Sequence, residues 1–329
     1  MKTFSTVNTD AAYTIGMHLT ESCICSVVVD FKGKIKGSLE FPLSIKKSRS
    51  VESWIDQMEI VLQACVDKAD VSRDQISGIG IGVSGFIDGK EKICHWSPLF
   101  ETKEKTSFSQ IQRRFKVPTL IENDGIAATM MQKWHGVGRD VDNFILVTLE
   151  DGVGMGLVVN DRIYRGNSIG YGQFGHTVVV PGGIACLCGK KGCIEAYAGA
   201  LSIIKTAQRA CAEGEWACTA PHEFSVEDLI EAGQKGETVV ADIFHQAGAI
   251  LGLGISGLVQ TFCPKKIIIS GKVALAGDLL LDPMQEALKI YVNETLLKWV
   301  EIIVHKWRPT DCAQGAAILS LKQIFKGSS

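Results

Sequence analysis

Four side chains in one short stretch have the types and spacing of a metal site. His176 is followed by Cys186, Cys188 and Cys193, an H-x9-C-x-C-x4-C pattern. Three thiolates and one imidazole make a closed tetrahedral set for Zn2+, the kind that holds structure rather than leaving a position open for catalysis. Pro181-Gly182-Gly183 precede the first cysteine, and Gly189 and Gly192 surround the last two. Glycine at such positions lets backbone wrap tightly around an ion. Reduced cysteines gathered in an exposed loop are the weaker reading, because soft ligands seldom cluster without a use. A disulfide is weaker still, since Cys186 and Cys188 are too close to pair and the expected compartment is reducing.

The chain has 329 residues, 11 of them cysteine. The eight remaining cysteines, Cys23, Cys25, Cys65, Cys94, Cys211, Cys218, Cys263 and Cys312, are scattered and mostly in apolar settings. They read as buried thiols rather than a disulfide framework. Basic and acidic side chains number 34 and 36, well mixed, for a net charge of −2. No basic stripe stands out, so composition gives no support for nucleic-acid binding by this chain. The opening MKTFSTVNTD lacks the features of a signal peptide. No charge-free apolar run of about 20 residues is evident, so no membrane span is expected and a cytoplasmic location is.

These side chains need elements to carry them. Tyr13–Leu19, Cys23–Asp30 and Ile35–Phe41 read as three strands joined by tight turns. Val51–Ala69 has helical apolar spacing, and Ile76–Val83 is a buried strand whose glycines admit close backbone. A short strand, Val117–Ile121, leads through Glu122-Asn123-Asp124 to a helix over Gly125–Trp134. Phe144–Leu149 and Met155–Val159 flank a Gly-rich turn. Beyond the metal segment the chain reads as largely helical, with strands at Lys266–Ile269 and Glu301–Val304 and a closing helix at Ala313–Ile324. A strand-rich-then-helix order thus recurs, which predicts two α/β lobes around a cleft. The expected division is residues 1–124 and 125–312, with a helix over 313–325 packing back on the first lobe.

Gly175-His176, Cys186-Leu187-Cys188-Gly189, Gly192-Cys193-Ile194-Glu195 and Ala196-Tyr197-Ala198 resemble the signature of the ROK family, bacterial sugar kinases and sugar-responsive transcriptional repressors. Ile121-Glu122-Asn123-Asp124, Gly166, Ser270-Gly271 and Gly315-Ala316-Ala317 extend the likeness over roughly residues 13 to 325. The resemblance implies a ribonuclease-H-like, actin/hexokinase-type α/β fold with a zinc knuckle, a role in carbohydrate metabolism, and a homodimer. It also implies that Asp124 is the general base toward a sugar hydroxyl, a role open to a carboxylate within hydrogen-bond reach. Asn123, Gln173, His176 and Glu195 would be sugar contacts. By itself Asp124 would read as a helix N-cap.

The chain departs from the kinases on the nucleotide side. Where they carry an Asp-x-Gly-Gly-Thr phosphate loop, this sequence has His18-Leu19-Thr20-Glu21-Ser22. Where they carry Gly-Thr-Gly-x-Gly, it has Glu150-Asp151-Gly152-Val153-Gly154, two carboxylates at a place meant for phosphates. Ser270-Gly271-Lys272 replaces the glycine run near adenine, and Gln173 replaces a sugar-binding glutamate. Thr20, Gly152, Gly154 and Gly271 are what remains of the nucleotide set. These departures resemble the family's repressors, although only Met1–Ala12 precede the first strand, so no DNA-binding domain is expected. The expected function is regulator-like sensing of a hexose or amino sugar. The alternative is an ATP- and Mg2+-dependent sugar kinase acting on a hexose or N-acetylhexosamine. A scaffold that keeps the fold but binds no sugar is the third reading.

Overall fold

The computed structural model describes residues 13–43, 50–100, 106–166, 171–218 and 224–326. The chain forms two units, one of Met1–Asp140, Ile163–Tyr171 and Arg308–Ser329, the other of Val141–Arg162 and Gly172–Trp307. The division expected after Asp124 therefore falls after Asp140. The helix that starts at Asp124 packs on the chain's closing helix and stays with the first unit.

In the first unit β1 (Tyr13–Leu19) and β2 (Cys23–Val29) form a hairpin, extended antiparallel by β3 (Ile35–Pro42). After α1 (Val51–Lys68), whose N-cap Ser50 accepts from the Ser53 N–H at 3.2 Å, the chain returns as β4 (Ile76–Val83), parallel to β1. A three-stranded sheet of β5 (Phe86–Asp88), β6 (Ile93–Trp96) and β7 (Thr106–Ser107), then α2 (Ser109–Phe115), stand where the sequence showed no clear period. β8 (Thr119–Asn123) adds parallel to β4 and runs directly into α3 (Asp124–Trp134). The main sheet has the order β3-β2-β1-β4-β8. It is covered on both faces, so its central strands are apolar throughout rather than alternating. Ile15, Ile24, Ile79 and Ile81 pack with Trp54, Met58 and Leu62 of α1 on one face.

The second unit repeats the plan. β9 (Phe144–Leu149) and β10 (Val153–Val159) form a hairpin, with β11 (Arg162–Ile163) beyond it. The helices α4 (Glu195–Ala198), α5 (Ala200–Ala212), α6 (Val226–Gln234) and α7 (Thr238–Phe262) follow, then β12 (Lys266–Ser270) parallel to β9. After α8 (Asp278–Tyr291) and α9 (Glu294–Leu297), β13 (Glu301–Val304) pairs parallel with β12, for an order of β11-β10-β9-β12-β13. Both sheets are mixed, each with a hairpin, one further strand on its outer side and two parallel neighbours.

α7 has 25 residues, and an 18-residue stretch of it has a mean hydropathy of 1.4, so by length and composition it is apolar enough to cross a membrane. Its packing gives a reason for that composition. Phe244, Ala247, Leu251 and Ile255 are wholly buried, and Gly248 and Gly252 sit against the α8 backbone at Leu280 and Met284, where a Cβ would collide.

The chain closes in the first unit with α10 (Thr310–Lys326), which packs on β1, β2, β4 and α3. Ala313 and Ala317 meet Cys25, Val27 and Val29 on the sheet's other face. Burial pushes the Cys25 and Cys94 thiols up to about 12, so both are neutral at ordinary pH and pack as small hydrophobes. Two other cysteines lie close together: Cys211, at the end of α5, and Cys218 have their Cα atoms 6.0 Å apart.

Candidate functional site

In the second unit the backbone from Val178 to Lys191 folds back on itself before any metal is considered. Val179 and Val180 both donate to the Gly192 carbonyl, and Cys186 N–H donates to Lys190 O at 2.8 Å. Gly189 and Gly192 take φ of 86° and 80°, a region that a side chain would strain. This knuckle brings His176, Cys186, Cys188 and Cys193 together, with all four ligand atoms within 4.8 Å of one another. His176 Nδ1 lies 3.6 Å from Cys186 Sγ, and Cys188 Sγ lies 3.7 Å from Cys193 Sγ. Zinc–sulfur bonds of ~2.3 Å in a tetrahedron set the ligands about 3.8 Å apart, so the donor set and its spacing are compatible with Zn2+.

Glu195, two residues past the last cysteine, starts α4 and joins the knuckle to the β9–β10 turn. Its Oε1 lies 3.8 Å from His176 Nδ1, and its Oε2 accepts from the Val153 N–H at 3.1 Å. A Cβ on Gly152 would strike that same carboxylate. The turn closes on itself, with Glu150 N–H donating to Gly152 O at 2.9 Å, and Gly154 continues into β10 opposite Thr148. Gln173 lies just ahead of a single 3-10 turn over Phe174–His176, where its carbonyl accepts the His176 N–H.

The acidic turn has a partner that the sequence did not reveal. Lys272 Nζ is 2.5 Å from Asp151 Oδ1, although the two residues are 121 apart in sequence. Burial by itself would lower the Lys272 pKa, but the charges of Asp151, Glu150 and Glu227 and the bond to Asp151 raise it above the ordinary lysine value. The ammonium therefore stays charged against the turn. Gly271, immediately before it, has φ 108° and abuts the Leu149 backbone, an approach that only glycine permits.

In the first unit the end of β8 and the start of α3 position Asn123 and Asp124. Asn123, not Asp124, is the N-cap: its Oδ1 accepts from Gly125 N–H at 2.9 Å and from Ile126 N–H, and its Nδ2 donates to Gly85 O. Asp124 is the first helical residue. Its Oδ2 accepts from the Ser84 hydroxyl at 2.5 Å and its Oδ1 from the Gly125 N–H at 2.8 Å. Thr20 lies in the β1–β2 turn, where its hydroxyl donates to Cys23 O and accepts from Cys23 N–H.

Thus Thr20, Asn123 and Asp124 belong to the first unit, and Gly152, Gly154, Gln173, His176, Glu195 and Gly271 to the second. Three residues outside the expected site set hold this geometry: Ser84 on Asp124, Lys272 on Asp151, and Arg165 on Glu122. Ser84 follows a buried strand and Lys272 follows another, a position at strand ends where polar side chains often serve a site. Arg165 had no such signal.

The ROK family model matches residues 15–323. The xylose repressor of Bacillus subtilis strain 168 is 26% identical over 317 residues, 96% of this chain and 78% of that protein. The glucokinase of Streptomyces coelicolor is 27% identical over 304 residues, 90% of each chain. A solved structure, the ROK family glucokinase from Streptomyces griseus in complex with glucose and AMPPNP, superposes with a TM-score of 0.81 at 26% identity, covering 94% of this chain and all of that one. The fold is therefore the actin/hexokinase-like α/β fold with mixed sheets. On the family match, which spans nearly its whole length, the chain belongs to the ROK family.

Proposed function

We propose that this chain is a zinc-containing sugar-binding protein of the regulator type. It senses a hexose or amino sugar in the cytoplasm as a homodimer, and relays occupancy through a partner rather than through phosphoryl transfer. Zn2+ is held by His176 Nδ1 and the sulfurs of Cys186, Cys188 and Cys193, and its work is to fix the knuckle that presents His176 and Glu195 to the sugar. Asn123, Asp124 and Gln173 complete the sugar contacts, Gln173 offering both a donor and an acceptor.

The observation that carries the regulator reading is the ion pair between Lys272 and Asp151. A phosphate loop works because backbone N–H groups and glycine leave room for an anion. Here a carboxylate occupies the turn, and an ammonium from the run that would face adenine satisfies it internally. A nucleotide would have to displace that pair and then meet Glu150 and Asp151. Thr20 is likewise engaged with Cys23 across its own turn.

A second reading has one observation in its favour. The hydroxyl of Ser84 and the N–H of Gly125 each donate to Asp124, which orients the carboxylate. A general base needs such a fixed orientation. On this reading Asp124 takes the proton of the attacking sugar hydroxyl, and ATP with Mg2+ supplies the phosphoryl group.

Calorimetric titration of ATP–Mg2+, with and without sugar, separates the two, together with an ADP-release assay over hexoses and N-acetylhexosamines. The regulator reading expects sugar binding, no micromolar nucleotide binding and no turnover. Micromolar ATP–Mg2+ binding with turnover that Asp124→Asn abolishes would overturn it.

A further inference from the structure

The first unit contains a cavity of about 90 Å3 beside Asn123, bounded by the loop after β4, by β8, by the first turn of α3 and by Arg165 and Tyr171. One water needs only ~10–15 Å3 on this measure, so the space suits a sugar substituent or a small ring rather than a single solvent molecule. Glu122 forms part of the wall and is deeply buried, with its side chain only 8% exposed. Its Oε1 accepts from the Asn123 N–H at 3.1 Å, and its Oε2 accepts from Arg165 Nε at 3.0 Å and forms an ion pair with Nη2, also 3.0 Å away.

The arrangement fixes a guanidinium at the cavity. A buried carboxylate left alone would be strongly unfavourable, so the pair is held together by the cost of parting it. One edge of Arg165 is spent on Glu122, and among the described residues its Nη1 makes no hydrogen bond. Asn123, another polar side chain of the wall, is already committed on both sides of its amide, to the helix N-terminus and to Gly85. Lys90 adds a second cation at the rim. Of the charged side chains lining the cavity, two are positive and the one negative is paired.

On these grounds we infer that the cavity receives an anionic substituent of the sugar ligand, a carboxylate or a phosphate, gripped by Arg165. Guanidinium is suited to both groups through its planar donor fork. The inference rests on the sugar-binding reading above and narrows it from sugars in general to acidic ones.

The test is calorimetric titration of the full chain with glucose, N-acetylglucosamine, glucuronate and glucose 6-phosphate, at low and at high salt. Each titration is repeated on Lys90→Met, Arg165→Met and the double variant Glu122→Gln/Arg165→Met. The double variant leaves no unpaired buried carboxylate, so it keeps the test valid if Arg165→Met fails to fold. An acidic sugar should bind tighter than its neutral counterpart, and added salt should narrow the gap. In the Arg165 variants the ratio of acidic to neutral affinity should fall about 10- to 100-fold, the worth of a charge-assisted hydrogen bond. Preference for glucuronate over glucose 6-phosphate identifies a carboxylate, and the reverse identifies a phosphate. Neutral sugars that bind as well as acidic ones, with a ratio the Arg165 variants leave unmoved, overturn the inference and leave sugar binding standing. No binding of any sugar overturns both.

Discussion

Cys193 shows how much one residue of the knuckle carries. It is fully buried, its sulfur is 3.7 Å from Cys188, and its backbone bridges to Val178. Serine at this position keeps the size but replaces a soft thiolate with a hard hydroxyl that stays protonated at neutral pH. Cys193→Ser should therefore lose the metal, from about one zinc per chain to almost none, as read by a chromogenic chelator or elemental analysis. The Cys312→Ser variant, whose thiol is buried in the first unit against the Asp124 carbonyl, should keep its zinc. Equal zinc content in the two variants would remove the knuckle's assignment. His176 and Glu195 link this residue to function, since the same 3-10 turn and helix start that hold them are fixed by the cysteines between.

At the scale of elements, α10 lies on its sheet at a distance that glycine sets. A Cβ on Gly16 of β1 would run into the Ala313 carbonyl, one on Gly80 of β4 into Ala316, and one on Gly315 of α10 into Ala127 of α3. The glycines of Ile76–Val83 were legible in sequence as a strand that admits close backbone, but not which backbone. Here the backbone cannot retreat, because Ala313, Ala316 and Ala317 are fully buried against it. Gly80→Val should destabilise the protein by about 1–3 kcal/mol or more through overpacking. Urea denaturation measures it, and a change within error would show that α10 can shift away from the sheet. The helix also carries Cys312, which donates to the Asp124 carbonyl, so its seating bears on the start of α3.

For the whole molecule, the repeated sheet order and the family match make ligand linkage the informative quantity. A ligand that binds only the native state stabilises it by RT ln(1 + [L]/Kd), ~2.7 kcal/mol at a hundredfold excess over Kd. A sugar that the protein senses should raise Tm in a thermal scan, while ATP–Mg2+ should leave it unchanged because Lys272 and Asp151 already satisfy each other. A rise with nucleotide alone would show that the pair opens and would favour the kinase reading. Should no sugar raise Tm, the protein is a scaffold that keeps the fold without the ligand.

Local pattern settled a good deal. Strand and helix order follow from apolar period, and the knuckle from ligand type and spacing, because those signals lie within short stretches of chain. The family was legible for the same reason, in contiguous motifs around His176 and Asn123. The division of the chain at Asp140 was not, because it depends on what lies against an element. The decisive pairs were out of reach in the same way. Lys272 with Asp151, Arg165 with Glu122, and Ser84 with Asp124 join residues 40 to 121 apart. Lys272 meets Asp151 and Ser84 meets Asp124 only once parallel strands have brought their ends to one edge of a sheet, a placement that no local pattern in the sequence could show.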